Sequence, residues 1–94
     1  MTSHTATLTT ERASTYLQQL CKHFAHKVEG EFTPTDGRVT LPFGVCTLRA
    51  DETALALTVT GEADNLARME QVIGDHLARF AFRETFILDW QDAA

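Results

Sequence analysis

The 94-residue chain has few cysteines and no long apolar run, and each shortage excludes a class of protein. Two cysteines are too few for the disulfide framework of a small secreted domain. No stretch of about 18 apolar residues is present, so the sequence predicts no membrane-spanning helix. The first residues, MTSHTATLTTER, combine neither a basic start nor an apolar stretch. We therefore expect no secretory signal and a cytoplasmic protein with reduced thiols.

Positive charge is also scarce. Eight Lys and Arg residues stand against thirteen Asp and Glu residues, which gives a net charge of −5. Such a surface repels a phosphate backbone, so we expect no nucleic-acid partner. The five glycines are isolated and form no phosphate-binding loop. No two carboxylates pair for acid–base work, so the sequence favours a non-enzymatic protein over an enzyme.

What the chain does contain is regular alternation, which predicts the element order β-α-β-β-β-β-α-β. HTATLTT predicts a strand, and Thr10 is expected to cap a helix that runs to about Lys27. Four short strands follow, with one of the turns at Thr35 to Gly37. Asp64 or Asn65 is expected to cap a second helix through residue 80. FRETFILDW then predicts a last strand, and the final QDAA is expected to fray.

These elements predict a single domain over residues 1–94, of the α+β class. An antiparallel sheet carries two helices on one face, which makes a two-layer sandwich. The other face is rich in threonine: Thr5, Thr7, Thr9, Thr40, Thr47, Arg49, Thr58 and Thr60. Such an open face is either solvated or the contact surface of a homodimer.

The stretch YLQQLCKHFAHK concentrates potential ligands on the first helix. At about 100° per residue, Cys21 and His23 lie roughly 160° apart, so they cannot share an ion or act as nucleophile and base. His23 and His26 are neighbours at a spacing of three, and this pair is the candidate metal site. A third ligand would come from His4, His76, an acidic side chain or a second subunit. Otherwise His23 is a boundary residue with a bonded neighbour and His26 is solvated.

Other conspicuous residues have simpler interpretations. Cys21 and Cys46 are expected in the core as small hydrophobes. His76 borders the apolar face of the second helix and is expected to be hydrogen-bonded. RFAFRE would suit an anion clamp, but in an acidic chain its arginines are more simply rim residues. Gly74, inside the second helix, costs about 1 kcal/mol against Ala and allows close approach of a strand or partner.

Three blocks carry a family resemblance: YLQQLCKHFAHKV, GRVTLPFGVCTLRA and HLARFAFRE. With them the chain resembles the bacterial domain-of-unknown-function family 2218, from about Thr9 to Trp90. The resemblance implies no catalytic residue. Family members stand alone or are fused to siderophore-interacting flavoproteins, which reduce ferric chelates. The resemblance therefore implies a supporting role in iron acquisition with such a flavoprotein as partner, and it places His23, His26 and Cys46 at signature positions.

Two functional hypotheses follow. The first is a non-enzymatic binding or interaction module, dimeric, that serves iron or siderophore handling and needs no cofactor. The alternative is a metal-binding protein in which His23 and His26 hold a divalent transition metal or iron.

Overall fold

The computed structural model describes residues 2–26, 29–81 and 88–92, where an antiparallel sheet carries two helices on one face. Its elements in chain order are β1 (Thr2–Thr9), α1 (Ala13–Ala25), β2 (Glu29–Phe32), β3 (Asp36–Leu41), β4 (Gly44–Ala50), β5 (Ala54–Gly61), α2 (Ala63–Phe80) and β6 (Gln91–Asp92). The strands lie side by side in the order β2-β3-β4-β5-β1-β6. The predicted α+β class and element order are confirmed.

Alternation along the strands divides the sheet into a buried and an open face, because successive side chains point in opposite directions. On the buried face, Ala6 lies opposite Leu57, which in turn lies opposite Leu48. One residue along, Thr5 lies opposite Thr58 on the open face. The register therefore places the apolar residues of neighbouring strands in common rows beneath the helices.

The helices supply the second half of the core through the apolar stripes that the sequence predicts. The buried residues of α1 are Ala13, Tyr16, Leu17, Leu20, Cys21 and Phe24. Those of α2 are Leu66, Met69, Ile73 and Leu77. Burying each large aliphatic side chain stabilises the fold by about 1.5–3 kcal/mol. Within the described residues, neither helix combines the length and the apolar character needed to cross a bilayer.

Two glycines let the helices lie directly on the sheet. The sequence predicts Gly37 in a turn, but it lies within β3. A Cβ atom there would come within 2.7 Å of the Cys21 sulfur on α1. At Gly44, a Cβ would lie 2.6 Å from the Met69 sulfur on α2. Close approach, rather than turn geometry, therefore requires glycine at position 37.

The predicted caps of both helices are wrong. Helix α1 begins at Ala13 without a side-chain cap, and the Thr10 hydroxyl instead accepts a hydrogen bond from the Arg12 N–H at 3.1 Å. Helix α2 begins at Ala63, ahead of both predicted caps, because extended Glu62 turns the chain into the helix and its carbonyl accepts the Asn65 N–H at 2.9 Å. Helix α1 ends at residue 25, and predicted end residue 27 lies outside the described residues.

Only the last part of the predicted C-terminal strand lies within the described residues. Residues 82–87 of the predicted strand lie outside the described residues, and residues 88–90 are not a strand. Gln91 and Asp92, which were expected to fray, form β6 and pair with Thr5 and His4 of β1. Leu88 and Trp90 pack partly buried against the core. This segment is therefore held by side-chain contacts before it reaches the sheet.

Candidate functional site

The side of the sheet away from the helices, hereafter the open face, is composed mainly of small residues. It comprises Ser3, Thr5, Thr7 and Thr9 of β1, Ala54, Ala56, Thr58 and Thr60 of β5, Val45, Thr47 and Arg49 of β4, and Asp36, Arg38 and Thr40 of β3. All eight residues predicted for this face lie on it. Its centre therefore presents methyl and methylene groups rather than the long charged side chains usual on a solvated sheet.

Four hydroxyl groups of β1 and β5 on the open face bond within the sheet. The Thr5 hydroxyl donates to the Leu57 carbonyl at 3.0 Å, and the Thr58 hydroxyl donates to Thr5 Oγ1 at 3.3 Å. Ser3 and Thr60 share a hydroxyl hydrogen bond of 2.8 Å. A buried hydroxyl without a partner costs about 1–3 kcal/mol. Because these hydroxyls already have partners within the sheet, burying them does not carry that cost.

Charged residues of both signs occupy the β2–β3–β4 end of the open face. Arg49 Nε lies 3.6 Å from Asp36 Oδ1, and both side chains are mostly exposed. Arg38 stands two residues along β3 from Asp36, directly opposite Glu31 of β2. An open groove at this end has Thr47 in its lining, together with Asp36 and Arg49. Opposite charges thus alternate over a short distance on one surface.

The two histidines of the predicted metal pair have different surroundings. His23 is half-buried where α1 meets α2, with its ring centre 4.8 Å from that of His76 and 5.9 Å from that of Phe80. His26 follows the last residue of α1 and is exposed. Within the described residues, no three His, Cys, Asp or Glu side chains are placed to hold one ion. The His23–His26 site stays a prediction.

His76 is hydrogen-bonded, as the sequence predicts. Its Nδ1–H donates to the Val72 carbonyl of the preceding turn at 2.7 Å. This bond fixes the tautomer of the neutral ring and leaves Nε2 as the nitrogen with a lone pair. The ring also lies 4.8 Å from that of Phe24 on α1, so it belongs to the contact between the two helices.

Both thiols are core groups rather than nucleophiles. Cys21 and Cys46 are 0% exposed. Burial raises the pKa of Cys21 to about 11, although a backbone hydrogen bond with Arg38 acts in the opposite direction. Burial, with a smaller contribution from Cys21, raises the pKa of Cys46 to about 12. Near neutral pH neither group is a thiolate, so neither has the form that attacks substrates or binds metals.

A family model described as an uncharacterized protein conserved in bacteria (DUF2218) matches residues 5–91. The chain belongs to the DUF2218 family. The NMR structure of PA4090 from Pseudomonas aeruginosa is similar to this DUF2218 chain, with 36% sequence identity and a TM-score of 0.81 over 97% of this chain and 96% of that one. No curated protein matches the chain. The family resemblance is confirmed, and the solved structure has the fold that the alternation predicts.

Sequence reasoning missed one polar cluster of this DUF2218 chain. His4 Nδ1 lies 2.8 Å from Glu70 of α2, and His4 Nε2 lies 3.0 Å from Asp92 of β6. The two carboxylates bind opposite ring nitrogens, so the imidazole separates them and the three groups cannot share one ion. A signal was present, because His4 shares the inward positions of β1 with Ala6 and Leu8, and a polar residue there requires a partner.

The RFAFRE stretch of the DUF2218 chain is only partly described. Arg79 is exposed, Phe80 is partly buried and Ala81 is buried. Residues 82–84 lie outside the described residues, and the anion-clamp hypothesis falls on them. The rim position of Arg79 agrees with the simpler interpretation.

Proposed function

We propose that this chain is a non-catalytic interaction module that self-associates through its open face. The observation that carries the proposal is the hydroxyl network of β1 and β5 on that face, where Ser3, Thr5, Thr58 and Thr60 are bonded within the sheet. The network satisfies these four hydroxyls within the sheet, which lowers the cost of drying the part of the face formed by β1 and β5. Flat antiparallel sheets pack face to face at about 10 Å through small, interdigitating side chains.

Four candidate reactive groups support a non-catalytic role. The thiols of Cys21 and Cys46 are buried and have raised pKa values. His4 bonds carboxylates through both ring nitrogens, and His76 bonds a backbone carbonyl. None of these groups is arranged as a nucleophile with its base.

The charges on the open face favour a second copy as the partner. The two-fold axis of such a dimer lies in the plane of the interface, runs perpendicular to the strands and passes at the level of Gly37. It places β3 of one copy over β3 of the other copy, with the opposite strand direction. Arg38 and Asp36 lie one residue to either side of that level, so each Arg38 meets the Asp36 of the other copy. In the same arrangement Thr58 meets Ala56, because Gly37 pairs with Leu48 and Leu48 with Leu57, which places Leu57 level with the axis. The surface is thus complementary to itself.

The size of the face also suits a dimer. The molecule measures 32 × 27 × 21 Å. The six strands together contain 35 residues. At about 4.8 Å between strands and about 3.3 Å per residue they cover roughly 550 Å² in projection. Stable interfaces bury about 800 Å² of accessible surface per partner. The area of the open face is of the same order.

Sedimentation velocity at tens of micromolar tests the proposal. The wild-type chain is expected to sediment as a dimer. Thr58→Arg, which places a long charged side chain at the centre of the face, is expected to weaken association at least tenfold. Thr15→Arg on the exposed side of α1 is the matched control and is expected to remain dimeric. A monomeric wild type, or a Thr58→Arg variant that dimerises normally, would overturn the proposal.

For the physiological setting, the family resemblance supports an accessory role beside siderophore-interacting flavoproteins. Titration of such a flavoprotein with this chain, followed by calorimetry, is expected to show saturable binding. Addition of the chain is also expected to change the rate at which the flavoprotein reduces a ferric siderophore. Absence of both effects would remove the iron setting and leave the dimer untouched.

A further inference from the structure

Two histidines from different helices meet at a partly exposed position, hereafter the helix seam, formed by His23, Phe24, His76 and Phe80. The ring centres of His23 and His76 are 4.8 Å apart and their planes are inclined by 48°. Phe24 contacts both imidazoles, and Phe80 contacts that of His23. Both histidines retain partial exposure, so an ion in solution can reach them.

The separation of the two rings suits a shared ion. Zinc binds imidazole nitrogen at about 2.0–2.1 Å, so the centres of two imidazoles on one tetrahedral ion are roughly 5 Å apart. Packed aromatic rings without an ion also lie about 4.5–7 Å apart, so the distance alone does not distinguish the two cases. The hydrogen bond of His76 provides the second, independent observation.

His76 is held as a metal-binding histidine is usually held. Its Nδ1–H donates to the Val72 carbonyl at 2.7 Å, and ligating histidines almost always donate their second nitrogen to a carbonyl or carboxylate. The free lone pair is then on Nε2, at the distal end of the ring, away from the backbone of α2. A net charge of −5 further raises the local concentration of cations.

We propose that His23 and His76 bind one divalent transition-metal ion across the helix seam. Nε2 of His76 and one ring nitrogen of His23 are the ligands that the helix seam supplies, and among the described residues no His, Cys, Asp or Glu side chain joins them as a third. Imidazole ligands suit zinc, copper and nickel. The site differs from the pair predicted from the sequence, because exposed His26 takes no part.

Calorimetric titration of tag-free protein with Zn²⁺ and Cu²⁺ tests the site, and one ion per chain is expected. His76→Asn is the decisive variant, because the Asn amide can still donate to the Val72 carbonyl but has no group at the Nε2 position. It is expected to bind at least tenfold more weakly. His26→Asn is the matched control and is expected to bind as the wild type does.

Two-dimensional NMR of the imidazole nitrogens gives a second readout. Metal addition is expected to shift Nε2 of His76 and to leave the rings of His4 and His26 unchanged. Three results would each overturn the site: no stoichiometric uptake by the wild type, unchanged binding by His76→Asn, or an equal loss in His26→Asn. Circular dichroism of each variant confirms that a loss of binding is not a loss of fold.

Discussion

At the scale of single residues, two glycines with different surroundings predict opposite effects of a methyl group. A Cβ at Gly74 in α2 would lie 3.8 Å from Leu88 Cδ1, which is ordinary contact. Gly74→Ala is therefore expected to raise the free energy of unfolding by about 1 kcal/mol, since Ala favours the helix. At Gly37 the same methyl would lie 2.7 Å from the Cys21 sulfur, so Gly37→Ala is expected to destabilise the fold. Denaturant titration measures both, and a destabilised Gly74→Ala would show that α2 needs glycine for close approach.

The thiols provide a second prediction at the residue scale. Raising the pKa from 9.0 to about 11, as burial does for Cys21, lowers the thiolate fraction at pH 8 about 100-fold. Cys46 is shifted further in the same direction. Labelling of the native protein by a disulfide reagent at pH 8 is therefore expected to be at least about 100-fold slower than labelling in denaturant. Rapid labelling of either cysteine in the native state would contradict its burial.

The pH dependence of stability follows from the same shifts. Both thiols stay protonated in the folded chain at a pH where the unfolded chain, with a pKa near 9.0, begins to lose their protons. Their contribution is therefore complete below about pH 9 and declines as the pH rises toward 11. Denaturation midpoints measured from pH 8 to pH 10.5 are expected to fall, and a smaller fall is expected in Cys46→Ala. An equal fall in that variant would assign the effect to other groups.

At the scale of elements, the side-chain period was predictable because it depends on local alternation. The apolar stripes of α1 and α2 and the two faces of the sheet follow directly from 3.6- and 2-residue periods. Helix starts were not predictable from cap preference, since the Thr10 hydroxyl bonds the Arg12 amide two residues on. The position of β6 depends on contacts between residues 4, 70 and 92, which no local window contains.

The anchoring of β6 can be tested by separating the two nitrogens of His4. His4→Gln places an amide near the Nε2 position and is expected to keep the Asp92 contact, whereas His4→Asn mimics Nδ1 and keeps only the Glu70 contact. Amide hydrogen exchange of Gln91 and Asp92 is expected to accelerate in His4→Asn and to change little in His4→Gln. The stability difference is expected to be below about 1 kcal/mol, since Asp92 is 87% exposed. Equal exchange in the two variants would show that the two-residue ladder, rather than the histidine, holds the segment.

At the scale of the whole molecule, the sequence predicts an open threonine-rich face but not its hydrogen bonds. The Ser3–Thr60 and Thr5–Thr58 contacts join strands more than fifty positions apart in the chain, and they appear only once the register is known. The helix seam likewise forms only through tertiary packing. Helical spacing makes His23 and His26 neighbours, whereas tertiary packing brings His76 to His23 from a helix that begins at residue 63.

The self-complementary charge pattern leads to a prediction that only a face-to-face dimer satisfies. In a dimer of the Asp36→Lys variant, Arg38 of each copy meets the introduced lysine of the other copy. In a dimer of the Arg38→Glu variant, Asp36 of each copy meets the introduced glutamate of the other copy. Each variant alone is expected to associate about tenfold more weakly than the wild type, because like charges are opposed. In an equimolar mixture of the two variants, a heterodimer places the introduced lysine opposite the introduced glutamate, and Arg38 opposite Asp36. Both pairs are attractive, so the mixture is expected to form heterodimers.

Sedimentation of the mixture at low and high salt is the measurement, and salt is expected to weaken the heterodimer. Two variants that stay monomeric when mixed would exclude the two-fold arrangement at Gly37, even if the wild type dimerises through another surface.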